Sequence, residues 1–166
     1  IYRKFAFTFL FYLLSNLVFS QFNLVRNFNV KDGLPSSEVY EMLVDDNGYL
    51  WFASDMGVSR YNGYEFKNYT TEDGLPDNTI FGIYEDYKHS IWFRTLSGKL
   101  AYLYNDKLYS LACNDSLTKL LNIASITSIY VDSKDNLWLG LTTNCVFKIP
   151  STNGYKFIEQ ITINYN

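Results

Sequence analysis

Histidine occurs once in these 166 residues, as His89, and that scarcity excludes more chemistry than any motif supplies. A metal centre built on several imidazoles cannot be assembled, and a Ser-His-Asp arrangement would have no residue to spare. Cysteine is almost as scarce. Cys113 and Cys145 permit one disulfide in an oxidising setting, but the alternation around "NCVFKI" favours a strand in which Cys145 is a small, buried, free thiol. No block of basic residues occurs and the net charge is −3, so nucleic acid is not an expected partner. No glycine loop of phosphate-binding spacing is present, and no metal or other cofactor is expected.

Long uncharged stretches are missing too, with one exception. Arg3 and Lys4 precede the fifteen residues "FAFTFLFYLLSNLVF", and Ser20-Gln21 follows with Val18 at the −3 position of a cut. That layout predicts a secretory signal over residues 1–20, with an uncleaved anchor as the rival reading. The apolar core is shorter than the roughly 18–20 residues that span a bilayer. Export would put the rest of the chain in the periplasm or outside the cell, with a mature net charge of −5. The chain opens on Ile1, which leaves the true start residue open.

Aromatic residues, in contrast, make up 19% of the chain, and such residues favour pleated, half-buried surfaces. They recur on a period. "DGLPSSEVYEMLVDDNGYLWF" begins at Asp32, and 41 residues later the chain reads "DGLPDNTIFGIYEDYKHSIWF" from Asp73. Identities include Asp32 with Asp73, Gly33 with Gly74, Pro35 with Pro76, Asp45 with Asp86, Trp51 with Trp92, Gly57 with Gly98 and Tyr61 with Tyr102. A third copy, 46 residues further on, keeps Asp132, Leu137 and Trp138 but has lost DGLP, for which "KLLN" from Lys119 stands.

Within a unit, "EVYEMLV", "YLWFAS", "GVSRYN" and "YEFKNY" read as four short strands, with "DDNG" as a hairpin turn of positive φ between the first two. Ahead of the first strand, Gly33 and Gly74 can take a backbone forbidden to other residues, while Pro35 and Pro76 fix φ and end any ladder. Four antiparallel strands in about 41 to 46 residues form one β-propeller blade, so the fold class is all-β with an incomplete ring of blades. The expected divisions are 21–31 as an N-terminal strand closing the last blade of the full ring, 32–70 as the first blade and 71–112 as the second. Residues 113–166 would be a partial, divergent third. "VRNFNV" before Asp32 matches "FKNYTT" before Asp73, with Phe28 in the place of Tyr69.

The order of DGLP, an aliphatic strand ending in Asp, a Gly or Asn turn, Leu-Trp-Phe, Gly, and Arg-Tyr-Asn-Gly closely resembles the two-component regulator propeller repeat. Residues 32–63 follow it almost throughout, departing at Ala53, where that family usually has Gly. The second copy has Arg94 there, and Ala101 in place of Arg60. The resemblance implies the N-terminal part of a periplasmic sensor region, followed by further blades, a membrane helix and a histidine kinase, with a dimer in the full-length protein.

A residue at a fixed place in every copy is structural. Asp45, Asp86 and Asp132 are therefore read as turn acceptors, and Trp51, Trp92 and Trp138 as packing between blades. Ligand candidates are residues that break the repeat on the face shared by the strand 4–1 and strand 2–3 connections: Ser36, Asp55, Asp77, Arg94 and Thr95. Arg94 stands out because a guanidinium binds carboxylate or sulfate in a bidentate fashion. The leading reading is a non-catalytic sensor for an oligosaccharide or other polar small ligand. A secreted propeller scaffold, and a propeller lyase or hydrolase acting on polysaccharide, are the alternatives.

Overall fold

Alternation in the first unit becomes β1 (Val39–Val44), β2 (Leu50–Ser54), β3 (Gly57–Tyr61) and β4 (Phe66–Tyr69). The structure is a computed structural model and describes residues 26–143 and 145–162. The second unit gives β5 (Ile80–Glu85), β6 (Ile91–Thr95), β7 (Leu100–Tyr104) and β8 (Lys107–Ser110). Helix α1 (Asn114–Leu121) then precedes β9 (Ile126–Val131), β10 (Leu137–Leu141), β11 (Cys145–Ile149) and β12 (Glu159–Thr162). Each set is a four-stranded antiparallel meander in chain order, and the three sheets do not close into a ring. These are propeller blades.

Two expectations need correcting, and a third falls partly outside the described residues. The third unit is not partial: β12 pairs with β11 from Cys145↔Thr162 to Lys148↔Glu159. Its connector is longer, with a 3₁₀ turn at Ser151–Asn153 that ends on Gly154 at φ 65°, which hid the fourth strand from a fixed-period alignment. The N-terminal strand is not seen in residues 26–31, where the only regular element is a 3₁₀ turn at Val30–Asp32. A strand needs a paired backbone, and none of the described strands lies opposite this segment. Phe28 still packs like its counterpart Tyr69, against Phe52, Tyr61 and Phe66. Residues 1–20, read as a signal, and residues 21–25 lie outside the described residues; no helix among those described is long and apolar enough to cross a membrane. Finally, "KLLN" is not a loop like DGLP. It overlaps the end of α1, which buries Leu117 and Leu121 between the second and third sheets.

The two DGLP connectors share one construction. Asp32 Oδ2 accepts from Asn29 N at 2.9 Å, and Asp73 Oδ2 from Thr70 N at 2.8 Å, so each carboxylate reaches back to the start of its turn. Gly33 and Gly74 follow in left-handed backbone at φ 116° and 112°. That reversal drives Leu34 and Leu75 into the core, each 4% exposed. Pro35 and Pro76 come next, half-buried in the bend that leads to the first strand. The second connector is the looser of the two. Gly74 is exposed, and a side chain there would meet only Leu108 at 3.8 Å, whereas one at Gly33 would press on Phe66 at 3.1 Å. Gly74 is therefore required by its backbone angle and not by close packing.

The turn between the first two strands is built the same way each time. One carboxylate oxygen of Asp45 accepts from Asn47 N and Tyr49 N at 3.0 and 2.9 Å, while the other accepts from Trp51 Nε1 at 2.8 Å. Asp86 repeats this with Lys88 N, Ser90 N and Trp92 Nε1. Asp132 does so with Lys134 N, Asn136 N and Trp138 Nε1. Each turn needs one residue in left-handed backbone. Gly48 supplies it at φ 81°, His89 at 61° and Asp135 at 63°.

The clasped tryptophans fill the seams. Trp51 and Trp92 are each 1% exposed. Trp51 is joined to Phe93, Ile80 and Ile83 of the second sheet, and Trp92 to Ile126, Val131 and Phe147 of the third. Trp138 occupies the same place on the free face of the third sheet and is only half-buried. Each indole carries a cross-strand cover. Arg60 lies opposite and over Trp51, Tyr102 stacks on Trp92 at 4.7 Å, and Lys148 lies over Trp138. Tyr102 is thus the counterpart of Arg60, and Leu103 that of Tyr61. The β6–β7 turn is one residue longer than β2–β3, so the identity of Tyr61 with Tyr102 and the match of Ala101 to Arg60 are out of structural register.

Replacing Trp51 or Trp92 with Ala should cost about 3–5 kcal/mol by urea unfolding, as for large core aromatics, and Trp138→Ala markedly less in this chain. Burial pushes the Asp132 carboxyl up, but the bonds from Trp138, Asn136 and Lys134 outweigh it and hold it below its ordinary value. Its stabilising contribution is therefore complete above the unfolded value of about pH 4 and falls away as the pH drops toward the lower folded one. Asp132→Asn should lower the melting temperature at neutral pH and flatten its decline between about pH 5 and pH 2.5.

Candidate functional site

An up-and-down meander puts its second turn and its exit at the same end, so the β2–β3 and β6–β7 turns share an end with the connections into β5 and β9. At that end, polar groups run across two blades. Asp55, in the β2–β3 turn, has an Oδ1 that is buried without a partner among the described residues. Its carbonyl accepts from Thr79 Oγ1 at 3.5 Å. Asp77 accepts from Thr79 N at 3.1 Å and from Ser97 N at 3.3 Å. Ser97 Oγ in turn lies 3.0 Å from Thr95 Oγ1. Burial pushes the Asp77 carboxyl up, yet the bonds from Thr79, Ser97 and Asn78 win and hold it low. Asp55, Asp77 and Thr95 are thereby brought together. Among the described residues Ser36, Asp77's counterpart in the first blade, bonds within its own turn, accepting from Glu38 N.

Arg94 is not on the turn. It lies inside β6, half-buried, and points across the sheet. The reason is a bulge in the first strand of each blade, at Tyr40, Phe81 and Thr127, where the ladder skips a residue. The bulge at Phe81 frees its carbonyl, which accepts from Arg94 Nη2 at 3.1 Å. Opposite Arg94 stands Gly82, whose missing side chain makes the room: a Cβ there would lie 2.8 Å from Arg94 Nε. In the first blade the sizes are exchanged, with Glu41 opposite Ala53, and in the third Ser128 faces Gly140. The first strands β1 and β5 are where adjacent blades converge, and Glu41 Oε2 bridges that approach by accepting from Ile83 N at 2.9 Å.

Arg94 and Thr95 line a cavity of about 320 Å³ between the second and third blades, closed on its other side by α1 and residues 122–126. Its polar lining includes Ser97, Thr118, Asn122 and Ser125. The exposed side chains of Leu96 and Ile123 rim it. The sequence pointed to Arg94 but not to this partner wall, because the helix replacing DGLP carries no repeat signal.

At the opposite end, His89 Nδ1 sits 3.2 Å from Glu85 Oε1 and 3.4 Å from Asp46 Oδ2, and the three donors lie within 4.8 Å of one another. Glu85 also accepts from Asp46 N at 2.8 Å, joining adjacent turns. His89 is an exposed turn residue, and sequence reasoning missed this grouping. The 41-residue offset, which sets Asp46 and the Glu85–His89 turn at one end of neighbouring blades, was the available signal. Nearby, Lys88 and Tyr87 both bond Asp135 of the next blade, with Lys88 Nζ at 2.7 Å from Oδ2. Cys113 and Cys145 are both free thiols. The expected burial of Cys145 is corrected: it is half-buried, since it opens β11 beside Gln160, and Cys113 is the buried one.

Gly82→Ala should displace the Arg94 guanidinium and lose its bond to Phe81. In an Arg94→Ala background the same change should be neutral or slightly stabilising, because Gly82 does not need positive φ. A double-mutant cycle on unfolding free energy should therefore give a coupling of about 1 kcal/mol; additivity within error would mean the two positions do not share space.

The two component regulator propeller model matches residues 33–56, 74–97 and 120–143, one match in each unit. None of the curated proteins matches the sequence significantly. Among solved structures, the chain is similar to the extracellular domain assigned to the hybrid two component system BT3049 of B. thetaiotaomicron. Identity is 22% and the TM-score 0.58, over 85% of this chain and 18% of that one. A streptogramin B lyase structure is similar at 20% identity and TM-score 0.56, over 83% of this chain and 44% of that one. The chain thus spans less than half the length of either, and the likeness concerns the fold. Each of the three blades thus carries a match to the two component regulator propeller repeat.

Proposed function

We propose that this chain is part of the extracytoplasmic, ligand-sensing region of a two component signalling protein, and that its role is binding rather than catalysis. The observation that carries the reading is the match of all three blades to the regulator propeller repeat. Likeness to an extracellular domain of a hybrid two component system supports it at the level of fold. The ligand is a polar small molecule such as an oligosaccharide, received at the end of the blades where Asp55, Asp77 and Thr95 form a hydrogen-bonded string. Polar groups presented by turns on a rigid β scaffold suit recognition without rearrangement of the scaffold. Further blades and a histidine kinase would follow in the same chain, and dimerisation of the full-length protein would couple the two.

The test is made on the complete protein, read beyond Asn166 and reconstituted in liposomes. Autophosphorylation is followed while a panel of oligosaccharides is added on the extracytoplasmic side. A saccharide that changes the phosphorylation rate is the expected result. Saccharide binding by a protein whose full reading frame encodes no kinase would instead establish the scaffold reading.

A further inference from the structure

Among the described residues Arg94 makes one hydrogen bond, from Nη2 to the Phe81 carbonyl, and no carboxylate lies within ion-pair distance of it. Glu41 lines the same groove of about 190 Å³ but is engaged by Ile83 N. A guanidinium carries five N–H donors, and a half-buried one without a counter-ion has most of them free for a ligand. Two departures from the repeat meet here. A permanent charge replaces the small residue found as Ala53 in the first blade and Gly140 in the third, and a helix replaces the DGLP connection. Both line one cavity, and its hydroxyl and amide groups on Ser97, Thr118, Asn122 and Ser125 can hydrogen-bond sugar hydroxyls.

From this convergence we infer that the cavity between the second and third blades binds a saccharide bearing an anionic group, a carboxylate or a sulfate ester, held by the Arg94 guanidinium. The inference rests on the sensor reading above and gives its ligand a charge and a place. Arg94 fixes the anionic group, and the surrounding hydroxyls take the uncharged part of the same sugar. The rim formed by Leu96 and Ile123 gives the apolar face of a sugar ring somewhere to lie.

Calorimetry on the complete protein would use a galacturonic acid trimer, its fully methyl-esterified form, and a sulfated disaccharide, each against wild type, Arg94→Ala and Arg94→Lys. Arg94→Ala recreates the residue that the first blade carries at this place, and its melting curve checks that the fold is kept. The acid or the sulfate should bind wild type about tenfold or more tighter than the ester, a margin expected of one charge-assisted bidentate contact. Which of the two does so separates a carboxylate from a sulfate ligand. Arg94→Ala should abolish the preference, and Arg94→Lys should keep only part of it. Equal binding of acid and ester, or a preference that survives Arg94→Ala, overturns the anion assignment while leaving the sensor reading in place. Binding of none of the three overturns the assignment and counts against a saccharide sensor altogether.

Discussion

A single carboxylate per blade, accepting two backbone bonds and one from an indole, sets the geometry on which the remaining structure depends. The two backbone bonds close the turn between the first strands. The third aims a tryptophan at the neighbouring blade, so local turn formation and long-range packing are one event and not two. Were the aspartate only a turn former, the indole would be free to choose among rotamers, and the seam would lose its largest rigid body. The clasp explains why Asp45, Asp86 and Asp132 persist where DGLP does not. A connector can be rebuilt as a helix, but the turn cannot be rebuilt without also losing the seam.

The seams themselves are mixed. Apolar clusters fill their interiors, while ions and hydrogen bonds cross them at the turn end: Arg60 to Asp106 at 2.9 Å between the first pair of blades, and Lys88 to Asp135 between the second. Exposed pairs of this kind add little energy. Their effect is on angle, since a blade that pivots about its tryptophan must break them. At the other end, where the polar string and the Arg94 cavity lie, no ion pair occurs among the described residues, and the groups there remain available to solutes.

Much of this was legible because repetition doubles every signal. Alternation in "EVYEMLV" and "GVSRYN" placed strands to within a residue or so, and the coincidence of Asp and Trp in three copies marked those residues as structural. Gly74 and Pro76 could be read the same way, since turn chemistry depends on backbone angles that the residue type itself dictates. What the repeat concealed was any change in its own length. One added residue in the β6–β7 turn moved Tyr102 into the place of Arg60, although the letters aligned Tyr102 with Tyr61. The fourth strand of the last unit was hidden by a longer connector. Arg94 looked like a turn residue because burial inside a strand depends on an empty place across the ladder, and Gly82 gives no hint of its cross-strand partner until pairing is known. Helix α1 has no counterpart to be compared with.

The pairing of Glu41 with Ala53, Gly82 with Arg94, and Ser128 with Gly140 has an evolutionary reading. In each blade the wall near the inner edge holds one long or polar side chain and one minimal one, and which strand bears the long one varies. Volume is nearly conserved between the first two pairs while sign is not, and the third pair is smaller than both. Descendants of an ancestral unit can therefore exchange an acid for a base at this wall by a matched pair of substitutions, with no movement of backbone. Such positions should co-vary across the family, and the charge lining each seam can diversify independently of its neighbours.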